Sequence, residues 1–135
     1  MKLSKKAEYA LRALVAMGRE QEGANFSIHD LAHGEGIPLK FLEQILLALK
    51  NSGLLRSKRG VGGGYQLVTR PERITLGAVI AIFDGPFDPL PDTGHAALGE
   101  VFAGLRGEVT RWFDRHTIAD VIEAERARES TSFEI

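Results

Sequence analysis

Lys40, Glu43 and Gln44 fall within a little more than one turn of a segment, residues 38–51, whose apolar side chains repeat at helical spacing. At 100° per residue, Leu39, Leu42, Ile45, Leu46 and Leu49 gather on one side of such a helix. Lys40, Glu43, Gln44, Leu47 and Asn51 gather on the other, with Phe41 and Ala48 on the flank. A helix of this kind fits the major groove of DNA. There Gln44 would pair with adenine, Glu43 accept from the cytosine amino group, and Lys40 donate to guanine or a phosphate. A solvated surface face has the same composition, so the neighbouring segments must decide.

A glycine loop, Gly60-Val61-Gly62-Gly63-Gly64, is the second candidate. Glycine lets backbone N–H groups approach a phosphate closely. No Lys-Ser or Lys-Thr follows, however, and Tyr65 stands where the third glycine of a dinucleotide fingerprint would be. Both nucleotide readings fail. Basic residues bracket the loop, with Arg56, Lys58 and Arg59 before it and Arg70 and Arg73 after it. The loop is either a flexible hairpin tip or a slim wing that enters a minor groove, and Arg59 is the basic residue best placed to meet the negative potential there.

Other constellations carry less. His29 and His33 have the i, i+4 spacing of metal ligands, but no Glu follows His29 and no third ligand is evident, so surface histidines are expected. Asp88, Asp92 and His95 form a looser set of hard ligands in a proline-rich loop. No metal or other cofactor is expected. There is no cysteine, no nucleophile elbow and no histidine with an evident serine and acid partner, so an enzyme is not expected.

The elements that must position these residues follow from periodicity. A helix is expected over residues 5–20, capped by Ser4, with Ala7, Ala10, Leu11, Leu14, Val15 and Gly18 on one stripe. After a loop with Gly23 and Asn25, Ser27 and Asp30 have capping-box spacing and open a short helix that stops by Gly34 and Gly36. Pro38 opens the third helix. Residues 54–59 and 65–70 read as two strands of a hairpin around the glycine loop. This order defines a helix-turn-helix with a wing, a mainly α fold with a small β-hairpin. Thr75 caps a further short helix, residues 84–93 have loop composition, and a long helix is expected over residues 96–115. On it, Leu98, Phe102, Leu105, Val109 and Trp112 are spaced 4, 3, 4 and 3, the seam of paired helices. Thr117 caps a short closing helix with a frayed polar tail from Glu129.

Length and charge agree with this division. The chain has 135 residues, 44% of them hydrophobic, and a net charge of −1. That fits one domain, or one small domain with an appendage, rather than a disordered chain. The near-neutral total conceals two unlike halves. Residues 1–70 carry 11 Lys plus Arg against 6 Asp plus Glu, and residues 71–135 carry 6 against 12. A basic half that meets a polyanion and an acidic half with another task are expected. No apolar run has the length of a membrane span, and the N-terminal lysines precede no signal-peptide core, so a cytoplasmic protein is expected with no membrane partner. A seam of five apolar side chains beyond a winged helix with its own core has no local partner. Pairing with a second copy would bury it, which makes a homodimer.

The residues also resemble a known family. Lys2-Leu3, Tyr9-Ala10, Arg12-Ala13-Leu14, Gly36-Ile37, Phe41-Leu42-Glu43-Gln44, Leu49-Lys50, Gly53-Leu54, Ser57, Arg59-Gly60, Gly62-Gly63-Gly64-Tyr65, Leu67 and Ile74-Thr75-Leu76 are similar to the Rrf-type bacterial winged-helix transcription regulators. The resemblance is strong over residues 1–84 and continues beyond them mainly as layout. It implies a homodimeric, sequence-specific regulator, a repressor, that binds double-stranded DNA at an imperfect palindrome. It places DNA contacts at Pro38, Lys40, Phe41, Glu43, Gln44 and Arg59, and Lys58, Gly62 and Tyr65 of the wing complete the candidate set. The expected domains are residues 1–84 for DNA binding, 85–95 as a variable loop, and 96–135 for the dimerisation helix and closing helix. Cluster-binding members carry three cysteines in that loop, and this chain has none, so iron–sulphur sensing is not expected. A small-molecule or protein effector stays open. Pro38 stands where serine is common, and Leu47 and Ala48 where polar or basic residues are common. Those departures keep a second reading in view, a winged-helix adaptor that docks on another protein rather than on DNA.

Overall fold

A computed structural model describes residues 3–86, 88 and 92–133. Its chain order is α1 (Lys5–Gly18), β1 (Asn25–Phe26), α2 (Ile28–Glu35), α3 (Leu39–Asn51), β2 (Leu55–Lys58), β3 (Gly64–Leu67), α4 (Leu76–Asp84), α5 (Ala96–Arg115) and α6 (Ile118–Phe133). A single 3-10 turn, Pro71–Arg73, joins β3 to α4. This is a winged helix-turn-helix followed by two further helices.

The starts of α1, α2, α4 and α6 follow hydroxyl side chains. Ser4 Oγ accepts from the Ala7 N–H at 3.1 Å, Ser27 Oγ from Asp30 at 3.0 Å and Thr75 Oγ1 from Ala78 at 3.1 Å. Thr117 and Asp120 exchange both bonds of a capping box, at 2.9 and 3.2 Å. The tight turn of the helix-turn-helix comes from Gly36. Its φ of 64° is a left-handed conformation that glycine adopts without steric cost, and the next N–H, of Ile37, bonds back to the Ala32 carbonyl at 3.0 Å.

Helix α1 is the centre of the molecule. Ala7, Ala10, Ala13, Leu14, Val15, Ala16 and Met17 are all buried, more than one helical stripe, because α3, α4 and α6 all pack on it. Its alanines allow those close approaches. A Cβ on Gly18 would lie 2.8 Å from Ile122 Cδ1 and 3.0 Å from Pro71 Cγ, so the last turn of α1 has room only for hydrogen there. The core continues through Leu31, Ile37, Leu42, Ile45, Leu46, Leu49, Leu55, Ile74 and Val79.

The sheet has three strands in the order β1-β3-β2, all antiparallel. The third strand, β1, lies in what reads as a loop from sequence: two residues are too few to show a period. The hairpin strands are shorter than the expected spans. Arg59 to Gly63 form the tip, and beyond Leu67 the Val68 N–H leaves the ladder for the Leu54 carbonyl at 2.9 Å.

The closing helix differs more. It runs from Ile118 to Phe133 instead of being short, and it joins the N-terminal core. Ile118 is fully buried and Ile122 nearly so. A bridge between Thr75 and Thr117 anchors its start, with Leu76 N–H bonded to the His116 carbonyl at 2.8 Å and Ile118 N–H to Ile74 at 2.9 Å. Arg19 then reaches both carboxylate oxygens of Glu125, at 3.1 and 3.2 Å.

Ile118→Ala removes a fully buried side chain at this junction. It is expected to lower stability to urea by about 2–5 kcal/mol. A loss below about 1 kcal/mol would mean that α6 does not complete the core.

Candidate nucleic-acid interface

Helix α3 divides as its wheel predicts. Leu42, Ile45, Leu46 and Leu49 are buried, whereas Lys40, Phe41, Glu43, Gln44, Leu47, Lys50 and Asn51 are exposed. Pro38 precedes the helix as its N-cap residue, also exposed, and its carbonyl accepts from Leu42 at 3.0 Å. No side chain caps this end, and its first turn holds no acidic residue. The free backbone N–H groups and the helix dipole therefore leave positive potential beside Lys40.

The wing leaves the same helix. Leu54 N–H closes the C-terminus of α3 on the Leu49 carbonyl at 3.0 Å, and β2 then packs against α3 before the chain reaches the tip. Lys58 ends β2 opposite Gly64, and Arg59 begins the tip. Both are exposed, and neither has an ion-pair partner among the described residues. Gly63 N–H bonds to the Gly60 carbonyl at 2.9 Å, and Val61 at the apex is fully exposed. Arg56 differs, since its Nε donates to Gln66 Oε1 at 2.7 Å. Gly62 lies in the turn, and Tyr65 is half-buried on β3, packed against the core opposite Phe26 and Ser57. Tyr65 thus braces the wing from inside.

One wing residue escapes the sequence reading. Asn25 Nδ2 donates to the Gly62 carbonyl at 2.6 Å and to Gly63 at 3.0 Å, strapping the tip to β1. The strap needs Gly64, where a Cβ would collide with the Phe26 carbonyl oxygen. Local pattern holds no signal for it, because 37 residues separate Asn25 from Gly62.

The apolar seam stands apart from the core. None of the residues of α5 is buried, and α5 packs chiefly on α4. Leu98, Leu105 and Trp112 are 45%, 48% and 48% exposed, and Val101 beside them is 70% exposed. Phe102 and Val109 are half-buried. The Trp112 ring stacks on His116 at 3.8 Å, which stiffens the C-terminal end of the seam.

Asp88, Asp92 and His95, the possible hard ligands between α4 and α5, each make a contact within the chain. Asp88 pairs with Arg106 at 2.8 Å, Asp92 accepts from the Gly94 N–H at 3.0 Å, and His95 Nδ1 accepts from the Leu98 N–H at 3.2 Å. Among the described residues no three His, Asp or Glu side chains are grouped to hold a metal.

A recognition-type helix, a basic wing and a trailing helix with an uncovered seam define the class of winged-helix transcription regulators. Within it the chain belongs to the Rrf2 family, whose model, described as an iron-dependent transcriptional regulator, matches residues 3–124. A protein of Mycobacterium tuberculosis named as an HTH-type transcriptional regulator is 36% identical over 130 residues, covering 90% of this chain and 81% of the relative. The HTH-type transcriptional regulator CymR of Bacillus subtilis is 30% identical over 123 residues, covering 90% and 89%. The solved structure of that CymR, the global cysteine regulator, superposes with a TM-score of 0.81 at 28% identity, covering 92% of this chain and 98% of that one. The structure of T. potens IscR superposes with a TM-score of 0.78 at 26% identity, covering 93% and 88%. The iron in the family description does not fit the residues present here. The chain has no cysteine, and among the described residues no three His, Asp or Glu side chains are grouped to take the place of thiolate ligands.

Asn25→Ala is expected to loosen the wing. Amide hydrogen exchange at residues 60–64 should accelerate while α1 and α3 keep their protection, with a stability loss of about 0.5–1.5 kcal/mol. Unchanged exchange at the tip would show that the strap does not hold it.

Proposed function

We propose that this chain is a cytoplasmic, sequence-specific DNA-binding repressor that works as a homodimer on a pseudo-palindromic operator. The observation that carries the proposal is the exposed polar face of α3 flanked by the unpaired Lys58 and Arg59 of the wing. In this reading Gln44 and Glu43 read base edges in the major groove, and Lys40 and the uncapped start of α3 hold phosphate. Phe41 supplies an apolar edge for a thymine methyl group. Arg59 enters the adjacent minor groove, where the tip of the wing, nearly all glycine, offers little bulk. Pro38 contributes shape rather than a hydroxyl.

The seam of α5 supports the homodimer. Leu98, Leu105 and Trp112 still expose 45%, 48% and 48%, and Phe102 and Val109 less, so covering them with a second copy is worth on the order of 1 kcal/mol per side chain before entropic costs. Gly104 has open space around its Cβ position, so a partner helix is able to come close. Two recognition helices would then face two half-sites on one face of the duplex. The input to such a regulator is something other than a cysteine-held cluster.

Leu47 favours a second reading. It is 53% exposed in the middle of the polar face of α3, an apolar contact that a docked protein would cover. Selecting bound fragments from the protein's own genome separates the two. A regulator enriches a small set of sequences that share one motif, and an adaptor enriches none.

On an enriched fragment, Arg59→Ala is expected to weaken binding by about 1–3 kcal/mol. Equal affinity for variant and parent would remove the wing from the interface. Leu105→Asp is expected to sediment as a monomer, and a persistent dimer would refute pairing through the seam.

A further inference from the structure

Lys5, Tyr9 and Arg12 lie on α1 at positions i, i+4 and i+7, one face of the helix, and the base-reading and wing contacts leave them unused. Tyr9 joins this face to α3. Its ring centroid is 6.2 Å from that of Phe41, with the planes inclined by 60°. The same ring carries two cations. Lys5 Nζ is 5.9 Å from its centroid and Arg12 Cζ 5.7 Å. An aromatic ring attracts a cation, but a second cation at the same ring adds like-charge repulsion, so the arrangement leaves net positive charge concentrated at one surface spot.

The two cations are available to differing degrees. Lys5 pairs with Glu8 at 3.1 Å, with side chains 71% and 43% exposed, a solvent-screened pair that contributes little. Arg12 is exposed and has no carboxylate partner among the described residues. One of its terminal nitrogens donates to the Glu35 carbonyl at the end of α2, which fixes the guanidinium. A guanidinium has five N–H donors, so others stay free beside the Tyr9 ring. The nearby Glu35 carboxylate does not neutralise it, since that group turns to Arg19 at 3.5 Å.

We propose that Lys5, Tyr9 and Arg12 bind a backbone phosphate of DNA beside the groove that α3 reads, making α1 a third contact element with α3 and the wing. The proposal rests on the DNA-binding function proposed for α3 and the wing. The ligand chemistry is a phosphodiester: a fixed Arg fork suits paired oxygens, Lys5 supplies a mobile charge, and the Tyr9 hydroxyl adds a neutral donor. Continuity with Phe41 puts this anion site on the same surface as the base-reading helix. Glu35, held by Arg12 through its carbonyl, ends the helix that precedes the turn, so the contact also ties α2 to α1. Because phosphates carry no base identity, α1 would add affinity without preference for sequence.

The test measures affinity by fluorescence anisotropy against a random-sequence duplex and an enriched fragment over a range of salt concentrations. Removing one protein–phosphate interaction flattens the log–log salt slope by about 0.9. Arg12→Gln is expected to flatten it by roughly that amount and to weaken both duplexes by the same factor, and Arg12→Lys to restore most of the slope. Tyr9→Leu, which keeps both charges, is expected to weaken binding to both duplexes at every salt concentration. Lys5→Gln alters an exposed side chain, so its smaller flattening provides a reading if Arg12→Gln proves unstable in thermal melts. Unchanged slopes in folded Arg12→Gln and Lys5→Gln, with a steep slope for the parent, would overturn the role of α1. A flat slope for the parent itself would overturn the DNA-binding function instead.

Discussion

The burial of Leu42, Ile45, Leu46 and Leu49 determines what α3 is able to present to a partner. All four are fully buried, and each contributes on the order of 1.5–3 kcal/mol relative to exposure. Turning α3 by a single residue would rotate it by about 100° and bring Glu43 or Gln44 toward a core in which no buried polar or charged residue occurs among the described residues. The orientation of the polar face is therefore a consequence of core packing. The alanines of α1 set the depth at which this packing occurs, since larger side chains at Ala10 or Ala13 would push neighbouring helices outward.

From that fixed helix the chain builds outward in both directions. The hydrogen bond from Leu54 to Leu49 sends the backbone directly into β2, so the wing inherits its position from the end of α3. Asn25 and β1 then tie the wing back to the segment before α2. On the other side, α6 returns to pack on α1, and the bridge between Thr75 and Thr117 pins the end of α5 close to the start of α4. Helix α5 is held at its C-terminal end while Leu98, Leu105 and Trp112 of its apolar seam stay exposed. A contact on α5 is thus mechanically connected to the core under α3, a route by which pairing of two copies would fix the separation of two recognition helices.

Much of this arrangement was legible in the sequence because it rests on local chemistry. Ser4, Ser27, Thr75 and Thr117 each cap the helix expected of them, and the α5 limits, Ala96 to Arg115, match the expected helix. The face of α3 followed from a 3.6-residue period alone. What escaped detection depends on distant pairing. Strand β1 exists only because β3 lies beside it, and the length of α6 reflects the cover that Ile118 and Ile122 find on α1. The role of Tyr65 was similarly hidden, because the sequence shows a tyrosine after a glycine loop but not which side of the hairpin carries its ring. The charge division between the halves was visible from composition, and the structure adds the placement: Lys58 and Arg59 at the wing, and Arg106 and Arg111 neutralised by Asp88 and Glu108 on or beside α5.

The central claim is that two copies present two α3 helices to successive grooves on one face of DNA. Hydroxyl-radical footprinting of a bound genomic fragment tests it most directly. Two protected blocks are expected, related by two-fold symmetry and centred one helical turn, about 10–10.5 base pairs, or a whole multiple of it apart. A single unpaired block, or two blocks half a turn out of phase, would contradict it.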